Sequence, residues 1–62
     1  MEYELIKTHN GYKIRKPYLE KFYQYVSKVY KGKYEWTIDY TYSKHFSLKV
    51  AQKHIDILKT SN

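Results

Sequence analysis

The sequence predicts an α+β protein in which a small antiparallel sheet is covered by two amphipathic helices, in the order ββαβα. Three observations carry this prediction: an Asn-Gly pair between two strand-like runs, an unbroken alternation of aromatic and polar residues over 34–42, and two segments with polar residues at helical spacing. A chain of 62 residues suffices for one domain with a small core. We therefore treat residues 1–62 as a single small domain.

The first predicted element is a hairpin around Asn10-Gly11, a pair that suits the positive backbone dihedrals of a type I′ turn. It joins strands over 3–9 and 12–16, so that His9 pairs with Tyr12 across the turn. In this register the apolar side chains share one face of the hairpin. They are Tyr3, Leu5, Tyr12 and Ile14.

Residues 17–31 give two conflicting signals. Their Tyr, Phe and Val residues favour a strand, whereas their polar residues recur at helical spacing and leave one apolar side. Pro17 and Gly32 fit the start and stop of a helix, and we predict a helix over 17–31. In the alternative, 22–30 and 34–42 form a hairpin around Lys31-Gly32-Lys33, and the fold is a three-stranded meander with one C-terminal helix.

The remaining elements are a strand and a helix. Over 34–42 large apolar side chains alternate with Glu, Thr and Asp, which is typical of a half-buried strand. The pattern then changes to a helical stripe, and Ser47 stands where an N-cap residue is expected. The stripe consists of Leu48, Ala51, Ile55 and Leu58.

Composition restricts the compartment and the chemistry. The chain has no cysteine, so it has neither a disulfide framework nor a thiolate metal site. No cationic segment followed by a long apolar stretch is present, so we expect no signal peptide and no membrane span. These features predict a cytoplasmic protein.

Catalytic and metal-binding patterns are missing from the sequence. His9, His45 and His54 do not have the spacings of zinc ligands. Glu35 and Asp39 would lie roughly 13 Å apart on a strand, which is too far for a glycosidase pair of carboxylates. We expect no enzyme, no cofactor and no metal.

The charge pattern is the main functional signal. The chain has twelve Lys and Arg residues and six Asp and Glu residues, which gives a formal charge of +6. Arg15 is the single arginine. A lysine-rich surface binds phosphates, whereas bidentate recognition of bases depends largely on arginine. The same lysines also fit ordinary solvated helix faces. The candidate residues for binding nucleic acid or another partner are Lys21, Lys28, Lys31, Lys33, Lys49, Lys53, Lys13 and Arg15.

Tyrosines are interleaved with these basic residues, and exposed tyrosine rings can stack on unpaired bases. The candidate aromatic anchors are Tyr12, Tyr30 and Tyr34. The competing interpretation is that the tyrosines of the sheet pack in the core under the helices.

One segment carries a resemblance to known proteins. Phe46-Ser47-Leu48-Lys49-Val50-Ala51, followed by Ile55 and Leu58, resembles the last strand-to-helix passage of arm-type DNA-binding domains in phage integrases. Together with Trp36-Thr37, the pattern is similar to many short phage-encoded proteins of unassigned function. The resemblance implies action on nucleic acid or on a host protein.

Two function hypotheses follow. The first is a small basic non-enzymatic accessory protein, of phage or mobile-element type, that binds nucleic-acid backbone with little sequence specificity. The second is a phage-type inhibitor or adaptor that binds an acidic host protein through tyrosines and lysines. A homodimer is compatible with both, and the host cytoplasm is the expected location if the protein is phage-encoded.

Overall fold

The computed structural model describes residues 2–60 as an antiparallel sheet with a helix packed on one face. The strands follow one another across the sheet in chain order. A single 3₁₀ turn separates the sheet from the helix. The elements are β1 (Glu4–Thr8), β2 (Gly11–Pro17), β3 (Tyr23–Tyr30), β4 (Lys33–Thr37), the 3₁₀ turn (Tyr40–Tyr42) and α1 (Leu48–Thr60).

The predicted helix over 17–31 is wrong, and so is the order ββαβα. Pro17 ends β2, and residues 23–30 form β3. The alternative, a meander with one C-terminal helix, matches the structure. The structure has four strands, one more than this alternative, because the hairpin around Asn10-Gly11 and the hairpin around Lys31-Gly32-Lys33 both form.

A β-bulge between Val26 and Lys28 explains the misleading helical pattern. The extra residue turns both Val26 and Val29 toward the core. Two core residues at a spacing of three are what a helix would also show, so the bulged strand imitates a helix in sequence.

The N-terminal hairpin forms in a different register from the predicted one. Thr8, rather than His9, closes the ladder, opposite Gly11. Among residues 2–60 Lys31 is the single non-glycine residue with positive φ, so the turn at His9 and Asn10 is not type I′. The shift spans two residues and therefore keeps every side chain on its predicted face.

The predicted strand over 34–42 ends at Thr37. Asp39 follows, and its Oδ1 accepts a hydrogen bond from the Thr41 amide at 2.9 Å. This local bond between an aspartate and the backbone two residues later favours a turn over a strand. The alternation of apolar and polar residues continues through the turn and hides the end of the strand.

The chain after the 3₁₀ turn crosses the sheet between β2 and β3. These strands pair over 15–17 alone, and the first half of β2 bonds instead to Phe46. The amides of Tyr12 and Phe46 each donate a hydrogen bond to the other residue's carbonyl at 2.8 Å. The backbone amide of Lys44 donates to the Val26 carbonyl at 2.9 Å. Residues 43–46 thus fill a wedge in the sheet and carry the chain onto the helix side.

Helix α1 completes the core. The predicted cap is present, since Ser47 Oγ accepts a hydrogen bond from the Val50 amide at 3.3 Å. The helix, and not the two predicted helices, covers the sheet face that carries the N-terminal apolar residues. The buried apolar residues are Ile14, Val26, Phe46, Ala51, Ile55 and Leu58.

Candidate nucleic-acid interface

Four of the candidate residues meet at the end of the β3–β4 hairpin. We call Lys28, Tyr30, Lys31 and Lys33 the hairpin surface. Lys31 and Gly32 form the turn with φ of 48° and 78°, the positive pair that a type I′ turn requires. Tyr30 pairs with Lys33 across it.

The ladder fixes where these side chains point. Lys28 pairs with Glu35 and Tyr30 with Lys33, and both pairs alternate with the core pair Val29–Tyr34. Successive side chains of a strand point to opposite faces. The hairpin surface therefore lies on the sheet face opposite α1.

The lysines of the hairpin surface are free of ion pairs. Within residues 2–60 the one ion pair is Arg15–Glu4, with Nε and Oε1 2.6 Å apart. Glu35 is the carboxylate nearest to them in the ladder, opposite Lys28. Lys28, Lys31 and Lys33 are exposed and leave their charge available to an anion.

Tyr30 is the most accessible aromatic ring among the predicted anchors, with 58% of its surface exposed. The ammonium groups of Lys31 and Lys28 lie 5.3 and 5.7 Å from its centre. Other rings are covered more closely, since Arg15 lies 3.8 Å from the centre of Tyr23. Tyr30 is thus covered less closely by a cation than the ring of Tyr23.

The predicted anchors Tyr12 and Tyr34 pack against the core instead. The hydroxyl of Tyr34 makes a 2.8 Å hydrogen bond with His54 Nδ1, and burial raises the pKa of this phenol. His54 also contacts the Phe46 ring edge to face, with centroids 5.2 Å apart. Neither tyrosine offers a ring for stacking.

Lys13 is an internal residue, although the sequence suggested a surface site. It is 1% exposed, and its ammonium lies 4.0 Å from the centre of the Tyr40 ring. Nζ donates to the carbonyls of Tyr40 (2.7 Å) and Ser43 (3.3 Å) and to Ser43 Oγ. Burial lowers the pKa of this ammonium, and the Asp39 carboxylate opposes that effect. Lys13 therefore holds the 3₁₀ turn against the sheet and does not reach a ligand.

Arg15 is also engaged within the protein. Its guanidinium is bonded to Glu4 and stacked on Tyr23. A charge that is already paired attracts phosphate weakly. We leave Arg15 and Lys13 out of the interface.

The six remaining lysine candidates do not share one surface. Lys49 and Lys53 are exposed on α1, turned away from the buried stripe and hence from the sheet. Lys21 lies in the loop between β2 and β3, at the opposite end of β3 from the hairpin surface. The lysines of α1 and those of the hairpin surface are therefore separated by the sheet.

The loop of Lys21 carries an exposed apolar patch that the sequence did not suggest. Tyr18, Leu19 and Phe22 are each more than half exposed. The loop is ordered by hydrogen bonds of 3.0 Å from the Tyr18 amide to Phe22 and from the Phe22 amide to Leu19. As a helix, this segment would have buried Leu19 and Phe22, so the wrong element concealed the patch.

Across residues 2–60 no three His, Asp or Glu side chains are grouped as metal ligands. In that range no helix has the length and apolar character to cross a membrane.

Comparison with known proteins gave no match to a family model, a curated protein or a solved structure.

Proposed function

We propose that this chain is a small basic non-enzymatic accessory protein, of phage or mobile-element type, that binds nucleic-acid backbone through the hairpin surface with little sequence specificity. The observation that carries the proposal is the group of three exposed lysines without ion pairs around an exposed tyrosine. A cytoplasmic location is part of the proposal.

Weak sequence specificity follows from the chemistry of the surface. Lysine ammonium groups attract phosphate as point charges, and the single arginine is already paired with Glu4. Contacts to phosphate set the position of a protein on nucleic acid, whereas contacts to base edges read the sequence. A lysine hairpin therefore binds many sequences with similar affinity.

The test is to titrate the protein into labelled DNA and RNA at several salt concentrations and to measure binding by fluorescence anisotropy. Three phosphate contacts predict a log-log salt slope of about −2.7 for duplex DNA. Lys28→Glu with Lys33→Glu should abolish most binding. The matched control, Lys49→Glu with Lys53→Glu, makes the same charge change on α1 and should retain most of it. Equal losses in the two variants would show that binding follows net charge and not the hairpin surface.

The apolar loop between β2 and β3 favours a second candidate function, an inhibitor or adaptor that binds an acidic host protein. Aromatic side chains such as Tyr18 and Phe22 are typical of the centres of protein interfaces, and Lys21 in the same loop would attract an acidic partner. A homodimer would also cover such a loop.

Nuclease-treated pull-downs separate this candidate from the first. A stoichiometric protein that is retained after nuclease treatment and lost with Leu19→Ser and Phe22→Ser supports the adaptor. Sedimentation at several concentrations tests the homodimer with the same double variant. Retention of the partner by the double variant would remove the loop from the interface.

A further inference from the structure

We infer that the hairpin surface prefers single-stranded nucleic acid to duplex, because Tyr30 stacks on one unpaired base while the surrounding lysines bind the adjacent phosphates. This inference rests on the proposed function and adds the class of nucleic acid to it.

The position of Tyr30 suits stacking. The residue is the last of β3, it borders the turn, and it lies on the face away from α1. Among residues 2–60 it has no aromatic partner within stacking distance, in contrast to Tyr3 on Trp36 and Tyr25 on Tyr40. Its ring is therefore an exposed apolar surface whose neighbours are two lysine ammonium groups.

The lysines surround this ring in a way that fits a nucleotide. Lys28 precedes Tyr30 by one same-face position, Lys33 lies across the ladder, and Lys31 follows in the turn. A base on the ring would place its own phosphates among these ammonium groups. Aromatic side chains combined with a positive groove are the general means of binding single strands.

Duplex DNA cannot use the ring in the same way. Its bases are already stacked on one another and paired, so a base would first have to leave the helix at a cost in free energy. On a duplex the hairpin surface is left with its phosphate contacts. The preference for single strands thus comes from Tyr30 and the basal affinity from the lysines.

Lys31 provides an independent reason to regard the turn as functional. The first central position of a type I′ turn favours Asn, Asp or Gly, and a lysine there has an unfavourable positive φ. The turn geometry does not explain the lysine. Its ammonium, 5.3 Å from the centre of Tyr30, supplies charge beside the proposed base site.

The experiment compares a labelled mixed-sequence single strand of 20 nucleotides with its own duplex, by anisotropy at a fixed salt concentration. We expect tighter binding of the single strand. Tyr30→Ala should weaken single-strand binding about ten-fold and change duplex binding less than two-fold. Tyr30→Phe keeps the ring and should retain the preference. Tyr42→Ala is the matched control, because Tyr42 is 76% exposed and lies outside the hairpin surface.

Each result has one interpretation. Equal affinity for both forms, or a Tyr30→Ala variant with the wild-type preference, overturns the inference and leaves backbone binding intact. No binding of either form near physiological salt overturns the proposed function itself. The circular dichroism spectrum and melting temperature of each variant confirm that it is folded.

Discussion

Gly11 and Phe46 approach so closely that a β-carbon on Gly11 would lie 2.7 Å from the Phe46 carbonyl oxygen. Gly11 also has a φ of 138°, which side-chain-bearing residues rarely adopt. Glycine is therefore required at position 11 for two reasons. Its backbone has a positive φ, and the segment that bonds to Tyr12 leaves no space for a β-carbon.

Replacement of Gly11 tests this contact. Gly11→Ala should lower the free energy of unfolding by about 2 kcal/mol or more, because strain and the clash with the Phe46 carbonyl add. For a domain of this size this corresponds to a fall in melting temperature of roughly 10 °C. Gly32→Ala is the control, since its φ is 78° but no atom lies within 4 Å of the added carbon. A loss no larger than that of the control would contradict the close approach.

Lys31 predicts a substitution that separates stability from binding. Asn adopts a positive φ at lower cost than Lys, so Lys31→Asn should raise the free energy of unfolding by about 0.5–1 kcal/mol, while the lost charge weakens nucleic-acid binding. Chemical denaturation and anisotropy measure the two effects. Lys33→Asn removes the same charge from the neighbouring strand and should weaken binding with no gain in stability. A Lys31→Asn variant that is no more stable than wild type would show that the turn tolerates lysine without strain.

Lys13 should matter for stability and not for binding. Lys13→Met keeps most of the volume but leaves the Ser43 carbonyl without its donor, whereas the Tyr40 carbonyl keeps its hydrogen bonds from Ser43; we expect a cost of about 1–3 kcal/mol. Amide hydrogen exchange should accelerate over residues 40–44. Lys7→Met, at an exposed position of β1, is the control and should have little effect. If the Lys13→Met protein is folded but binds nucleic acid more weakly, Lys13 is part of the interface.

His54 predicts a loss of stability in mild acid. Burial, with the charges of Lys53 and Lys44, lowers the pKa of this imidazole below its ordinary value. Between the folded and unfolded pKa values the unfolded chain binds more protons, so stability is complete above about pH 6.5 and falls as the pH decreases through this range. Urea denaturation from pH 7.5 to pH 5 measures the slope. His54→Gln should flatten it, and an unchanged slope would assign the effect to other groups.

The sequence predicted the parts of the fold that depend on neighbouring residues. Ser47 and the stripe of Leu48, Ala51, Ile55 and Leu58 predicted α1, because capping and helical spacing are local signals, although Leu48 is 52% exposed and lies outside the core. The N-terminal strands were predicted from the Asn10-Gly11 turn signal, and their faces are correct although the register and the turn type are not. For β3 the periodicity gave the wrong element, because the bulge near Ser27 places core residues at a spacing of three within a strand.

The site was predictable to a similar degree. Tyr30, Lys31 and Lys33 are candidates because they are interleaved in sequence, whether the segment is a helix or a hairpin. Lys28 was a candidate as part of a predicted helix face, and that helix is wrong. Lys13 could not be recognised as buried, because its acceptors on Tyr40 and Ser43 come from a segment 27 to 30 residues away. The residues around Lys13 in the sequence do not indicate that a later segment covers its side chain.

The wedge between β2 and β3 also determines the order in which the protein can be assembled. Until residues 43–46 arrive, the Tyr12 amide and carbonyl lack their partners in the sheet, and the core lacks Phe46. The three N-terminal strands are thus an incomplete structure on their own. A ribosome must release most of the chain before the first hairpin gains its full set of bonds, so we expect the two ends of this small protein to fold as one cooperative unit.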